Sequence, residues 1–206
     1  MTTVLLARHG ETPWNREGRI QGWAATGLTD RGREQARALG EWLSAAYDVD
    51  RVVASDLYRT RETAAYLRER ARDLPEPTFD RGWRERGFGV YQGFLDEELF
   101  ARHPDHDPAT SVSSLDIDPE GGESVTAFCE RVESAWADLR ATVGAEETVL
   151  VVTHGGPLKA LRSVLTDRDR AAALASGSPP NCAVTAVRLG ETTELLEDGH
   201  TAWRDG

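Results

Sequence analysis

Three short apolar runs, Val4–Ala7, Val52–Ala54 and Thr148–Val152, each stop at a small polar cluster and are each followed by residues at helical spacing. Runs this short, rich in Val and Leu and lacking polar alternation, mark parallel strands buried on both faces. The first ends at Arg8-His9-Gly10, the second at Ser55-Asp56 with Arg59 a turn later, and the third at Thr153-His154-Gly155-Gly156. Strand, polar loop and helix in alternation predict an α/β domain, a three-layer α/β/α sandwich with a mostly parallel sheet.

The helical stretches carry their own signals. Thr29 can cap a helix whose core face is Ala36, Leu39, Gly40, Leu43 and Ala46. Ser55 and Asp56 are capping types ahead of a helix from Leu57 to about Ala71, with Arg59 in its first turn. A third stripe, Val125, Phe128, Cys129, Val132, Trp136 and Leu139, begins after Glu123, and a fourth runs through Leu158, Leu161 and Leu165. Cys182–Leu189 and Glu194–Leu196, joined by a turn at Gly190, read as closing strands. Residues 74–122 interrupt the rhythm: they hold most of the prolines, and His103-Pro104-Asp105-His106-Asp107-Pro108 is incompatible with regular helix. This segment is expected to form part of a cap over the pocket within a single domain covering residues 1–206.

Charge narrows the function. Asp and Glu total 35 against 24 Lys and Arg, a net charge of -11, which repels nucleic acid and anionic lipid. No apolar run approaches the ~20 residues of a bilayer span. A cytoplasmic protein is expected, with Cys129 and Cys182 as buried free thiols. Lys159 is the only lysine in the chain, a bias that fits codon usage or a high-salt cytoplasm.

Ligands of open parallel sheets bind outside the carboxyl ends of the strands. If the three runs are neighbours, His9, His154, Arg8 and Arg59 converge in one crevice, with glycines after both histidines to let backbone N–H groups approach a ligand. Such a crevice suits a phosphate. A metal is the competing chemistry, since His9, His154, Asp56 and Glu85 are possible ligands. Two arginines would repel the cation, and no close ligand motif is present, so no metal and no cofactor are expected. His103 and His106 do not share a helical face, and His200 is expected in solvent.

These residues fall in longer motifs. Leu6-Ala7-Arg8-His9-Gly10-Glu11-Thr12-Pro13-Trp14-Asn15, Arg19-Ile20-Gln21-Gly22, Ser55-Asp56-Leu57-Tyr58-Arg59-Thr60-Arg61-Glu62-Thr63-Ala64, Glu85-Arg86-Gly87-Phe88-Gly89-Val90-Tyr91-Gln92-Gly93 and Val152-Thr153-His154-Gly155-Gly156 succeed one another along the chain. In that order they resemble the histidine phosphatase superfamily, the phosphoglycerate mutase-like proteins. The resemblance implies that His9 is a nucleophile forming a phosphohistidine, that Arg8, Arg59 and His154 hold the phosphoryl oxygens, and that Glu85 protonates the leaving oxygen. It also places Asn15 and Gln21 at the phosphate, with Gly22 and Gly155 beside it. The charge logic agrees, because fixed guanidiniums stabilise the equatorial oxygens in phosphoryl transfer. The residue-level alternative for Glu85 is an ion pair with Arg84 or Arg86.

Departures from the motifs sharpen the expectation. The loop that often reads Gln-Gly-x-x-Asp-x-Pro-Leu-Thr in this family has Ala25 and Gly27 at the Asp and Pro places, which puts its shape in question. Where mutases of the family carry a Tyr and a Lys for the substrate carboxylate, this chain has Phe88 and Asp96. The expected function is therefore hydrolysis of a small phosphorylated metabolite, with a bisphosphoglycerate-primed mutase and a catalytically silent binding protein as alternatives. Aromatic residues near the motifs, Trp14, Trp23, Trp83, Phe88, Tyr91 and Phe94, are expected mainly to pack.

Overall fold

The computed structural model describes residues 1–107 and 109–201. Six strands form one sheet: β1 (Thr2–Arg8), β2 (Arg51–Ala54), β3 (Thr78–Phe79), β4 (Thr148–Thr153), β5 (Val184–Leu189) and β6 (Thr193–His200), in the spatial order β3-β2-β4-β1-β5-β6. The β3-β2-β4-β1 half is parallel, and β5 and β6 join antiparallel at the β1 side. The α/β architecture is as expected, with a mixed sheet.

Side-chain alternation along the strands sends successive residues to opposite faces. Val4, Leu6, Val149 and Val151 pack with Phe128, Val132, Leu158 and Leu161 of α5 (Val125–Thr142) and α6 (Gly155–Thr166). Leu5, Ala7, Leu150 and Val152 pack with Leu39, Leu43 and Leu67 of α2 (Asp30–Ala46) and α3 (Tyr58–Arg70). Because Leu39 and Leu43 are fully buried, truncating either to Ala would cost about 2–5 kcal/mol. Thr29 caps α2 through Gly32 N and Ser124 caps α5 through Ala127 N. Ala46 differs from expectation: it is exposed at the last turn of α2.

A third apolar cluster lies apart from the sheet. Ile20 packs there with Phe88, Leu99, Phe100, Leu115 and Ile117. This joins the loop after α1 (Pro13–Glu17) to the segment carrying α4 (Asp96–Arg102). Arg86, fully buried, donates to the carbonyls of Ser113, Leu115, Ile117 and Glu123 and so holds the strand-less 113–123 stretch in place. The irregular 103–107 stretch begins at the C-cap of α4, as the prolines predict; Pro108 lies outside the described residues.

Some expectations require correction. Neither Ser55 nor Asp56 caps α3; Leu57 is the N-cap, without a side-chain cap bond, and the two polar residues have other partners described below. The strand expected from Cys182 starts at Val184. Cys182 adopts φ 57°, and its N–H is shared between the carbonyls of Arg8 at 3.1 Å and His9 at 3.2 Å, so it clamps the end of β1 instead of extending β5. The short helix α7 (Arg170–Ala175) was not evident from spacing. His200 is half-buried, its ring 5.2 Å from that of Trp42, and not in open solvent. Cys129 and Cys182 are buried and free. Among the described residues no helix is long and apolar enough to cross a membrane.

Candidate active site

Strand register assembles the site. In the β1–β4 pair Arg8 faces Thr153, so His9 and His154 leave the sheet side by side at neighbouring carboxyl ends. Their ring centroids are 5.1 Å apart. β2 flanks β4 on its other edge, with Ala54 opposite Val152, which brings Ser55 beside His154 and starts α3 with Arg59 pointing back across both imidazoles.

Proton positions follow from partners that can act in only one way. The Gly10 carbonyl is an obligate acceptor, so His9 Nδ1 donates to it at 2.7 Å and Nε2 carries the lone pair. Arg59 Nε–H donates to that Nε2 at 3.3 Å and to His154 Nδ1 at 3.1 Å. His154 Nε2 therefore bears the proton and donates to Ser55 Oγ at 2.8 Å. Both imidazoles are neutral, and charge agrees with geometry. Burial, then Arg59 and Arg8, hold the His9 pKa well below its ordinary value. The same burial and Arg59, with His9 next, hold His154 down. Burial also lowers Arg59 to about 10, which leaves it a cation at neutral pH.

Arg59 is fixed by the loop whose shape the sequence left open. Its Nη2 donates to Gly22 O at 2.8 Å and its Nη1 to Ala24 O at 3.3 Å. Gly22 adopts φ 49°, which aims its carbonyl at the guanidinium and is a conformation that favours glycine. With Ala25 and Gly27 in place of Asp and Pro, the loop is held instead by Glu62, which accepts the Leu28 N–H at 2.6 Å.

Arg8, His9, Asn15, Gln21, Gly22, Arg59 and Glu85 line a cavity of about 240 Å³. His154 is completely buried and sits between Arg59, from which its Nδ1 accepts, and Ser55, to which its Nε2 donates. Gly155, the first residue of α6, is buried next to Ser178. Asn15 Oδ1 accepts from Thr12 N and Asn181 Nδ2, each at 3.1 Å, so its NH2 end is the one left to donate. Gln21 Oε1 accepts from the hydroxyls of Thr12 at 2.9 Å and Thr26 at 2.8 Å, with the same consequence. Donors and guanidiniums without an excess of acceptors define an anion site.

Glu85 makes neither of the ion pairs its neighbours offered. Arg84 is bidentate on Asp56, both contacts 2.6 Å, which also withdraws Asp56 as a ligand for a cation. Arg86 is committed to carbonyls. The Glu85 carboxylate accepts from Arg86 N at 2.9 Å and Gly156 N at 3.0 Å, while its carbonyl accepts from Trp23 Nε1 at 2.7 Å. A first-turn amide of α6 is thus spent on Glu85. Among the described residues there is no group of three or more His, Cys, Asp or Glu able to hold a metal ion.

Sequence reasoning missed several participants. Ser55 was read as a cap, and Asn181, which also donates to His9 O at 3.0 Å, came from a loop without a motif. Lys159, conspicuous as the only lysine, is completely buried and donates to Ser111 Oγ at 2.5 Å on the cavity wall. Trp83 packs as expected, Phe88 both packs and lines the cavity, and Trp14 lines it too. His103 and His106 stand apart, with His103 Nε2 3.1 Å from Tyr91 OH.

A parallel-sheet crevice with paired neutral histidines, buried guanidiniums and a carboxylate held by a helix start defines a phosphate-handling α/β protein. The chain belongs to the histidine phosphatase superfamily (branch 1), which it matches over residues 4–198. It is 37% identical to phosphoglycerate mutase-like protein 4 of Arabidopsis thaliana over 77% of this chain and 68% of that protein. With a metal-independent phosphoserine phosphatase of the same plant it shares 32% identity over 100% of this chain and 82% of the relative. Among solved structures, a mycobacterial glucosyl-3-phosphoglycerate phosphatase in complex with VO3 superposes with a TM-score of 0.82 at 29% identity, covering 97% of this chain and 99% of that one. The superfamily and these relatives indicate an enzyme of the phosphatase or mutase kind.

Proposed function

We propose that this chain is a phosphomonoesterase that hydrolyses small phosphorylated metabolites, without a metal, through a phosphohistidine on His9. The observation that carries the reading is the tautomer of His9: with its Nδ1 proton held by Gly10 O, the Nε2 lone pair faces the wall bearing Arg8 and Arg59. In the first half-reaction Nε2 bonds to phosphorus as the ester P–O bond breaks, and the leaving oxygen takes a proton from Glu85. In the second, the Glu85 carboxylate takes a proton from water as the water oxygen bonds to phosphorus and the P–N bond breaks. Arg8 and Arg59 balance the charge on the equatorial oxygens, Asn15 and Gln21 add neutral donors, and His154 holds Arg59.

Of residues 74–122, the stretch from Glu85 onward acts in this reading as a cap within one domain, supported by Glu85, Phe88, Asp96 and Ser111 in the cavity wall, whereas Thr78–Phe79 belongs to the sheet as β3 and Trp83 to its core. Hydrolysis is favoured over mutase chemistry because Phe88 has no hydroxyl and Asp96 adds a negative charge where a glycerate carboxylate would need a cation. The acidic surface, net -11, favours a soluble cytoplasmic enzyme of free metabolites over one acting on nucleic acid or at a membrane.

The test is p-nitrophenyl phosphate hydrolysis in EDTA by wild type and His9→Ala, with 31P NMR of the quenched enzyme and a parallel mutase assay on 3-phosphoglycerate. Activity and an acid-labile phosphoenzyme that both vanish in His9→Ala are expected. Equal rates for the two proteins refute the mechanism, and mutase turnover well above hydrolysis refutes the choice of a phosphatase.

A further inference from the structure

The turn between α7 and β5 holds the wall of the cavity from outside. Pro179 O accepts from Arg8 Nη1 at 2.5 Å, and the Cys182 N–H is shared between the carbonyls of Arg8 and His9. Asn181 Nδ2 donates to His9 O at 3.0 Å and to Asn15 Oδ1 at 3.1 Å. Arg8, His9 and Asn15 all line the cavity, whereas Asn181 stands behind it. Ala183 N–H closes the turn on Pro180 O at 3.0 Å, which makes Asn181 and Cys182 its central residues, and Cys182 takes positive φ at the second central place. A non-glycine residue in that conformation is strained and persists only where surrounding bonds hold it.

Amide orientation passes along this set in one direction. His9 O can only accept, so the NH2 end of Asn181 must face it; the reverse orientation would set carbonyl against carbonyl. The other proton of that NH2 goes to Asn15, which turns Oδ1 of Asn15 toward Asn181 and leaves Asn15 Nδ2 for the cavity. Thr12 N–H supports the same end of Asn15 at 3.1 Å. A flipped Asn15 would present an acceptor oxygen to an anionic phosphoryl oxygen and repel what it should bind.

We propose that Asn181 is a positioning residue for phosphoryl binding: anchored on the carbonyl of His9, its amide decides which end of Asn15 meets the phosphate. Asn181 matters in this way only if the cavity binds a phosphoryl group, so the proposal rests on the phosphomonoesterase reading and adds to that site a residue that never touches the ligand. One side chain then ties the nucleophile's backbone to a neutral phosphate donor. The Cys182 N–H also donates to His9 O, so that carbonyl keeps a partner without Asn181. A residue that merely braced His9 would act with or without the Asn15 amide, whereas one that orients Asn15 acts only while that amide is present.

The experiment titrates orthovanadate, a phosphate mimic, into wild type, Asn15→Ala, Asn181→Leu and the double variant by calorimetry, with kcat and KM for p-nitrophenyl phosphate measured alongside. Asn15→Ala should weaken vanadate binding by about 10- to 100-fold, the effect of one hydrogen bond to a charged group. Asn181→Leu keeps a similar shape without the donors. It should weaken binding by about 3- to 10-fold, because Thr12 N–H still holds Asn15, and should raise KM more than it lowers kcat. In the Asn15→Ala background the same change should add no more than about twofold. Should Asn181→Leu fail to fold, Asn181→Ala carries the same cycle. Losses that add in the double variant, or no loss in the single one, overturn the proposal and leave the phosphomonoesterase reading standing. The expected cycle on vanadate without hydrolysis of any ester supports the role of Asn181 and overturns that reading. No binding of vanadate by wild type overturns both.

Discussion

The backbone N–H of Gly156 donates to Oε2 of Glu85 at 3.0 Å, so the second residue of α6 holds the carboxylate that faces the cavity. A Cβ at position 156 would overlap the other carboxylate oxygen, Oε1, and would also crowd Phe128. Gly156→Ala is expected to fold, displace Glu85 and lower kcat on alkyl phosphates by about 10- to 100-fold, the lower range for a misplaced acid–base group. Steady-state kinetics with circular dichroism as a control checks this, and an unchanged kcat would show that Glu85 acts without that bond.

The two ester classes separate the acid from the rest of the machinery. Aryl phosphates leave as stable anions and need little proton donation, whereas alkyl phosphates need it fully. Glu85→Gln keeps the size of the side chain but removes the proton. Single-turnover phosphorylation of His9 should slow by about 10²- to 10⁴-fold with an alkyl ester and much less with p-nitrophenyl phosphate. Equal losses on both would remove Glu85 from the acid role.

Acid should destabilise this protein through its paired histidines. Both have folded pKa values depressed well below the 6.5 of the unfolded chain, by burial first and Arg59 second. The unfolded state therefore binds more protons below pH 6.5, so the stability present above that pH is lost progressively as pH falls toward the folded values. Urea midpoints between pH 7.5 and 5 should decline in wild type. The decline should be shallower in His9→Asn/His154→Asn, where neither site titrates, and an equal decline would place the acid sensitivity elsewhere.

Arg86 should matter to the cap more than to the sheet. Its guanidinium donates to the carbonyls of Ser113, Leu115, Ile117 and Glu123 in a fully buried position. Arg86→Met leaves those acceptors unsatisfied, at about 1–3 kcal/mol for each that water cannot reach. Hydrogen exchange should accelerate across residues 111–123 while the amides of β1 and β4 remain protected. Uniform acceleration would mean that cap and sheet open as one unit.

Sequence alone determined the three neighbouring parallel strands β2, β4 and β1 and the core histidine–arginine set, because both are written in local patterns, whereas β3, two residues inside the expected cap, carries no such pattern. Short apolar runs fixed β1, β2 and β4, helical stripes fixed α2, α5 and α6, and the residues at strand ends had only one crevice to share once the strands were parallel. Only the tertiary structure decided the partners. Ser55 and Asp56 had the chemistry of helix caps, but the β2–β4 register turned one to His154 and Arg84 took the other. Glu85 stood between two arginines in sequence, yet both were drawn to other acceptors and a helix start claimed the carboxylate. Lys159 was countable as the sole lysine, but its place behind Ser111 depends on the packing of α6 against a cap segment distant in sequence. The physical reason is range. Strand and helix periodicity act over a few residues, whereas a hydrogen bond is settled by whichever donor and acceptor the completed fold brings within about 3 Å, and no local pattern encodes that choice.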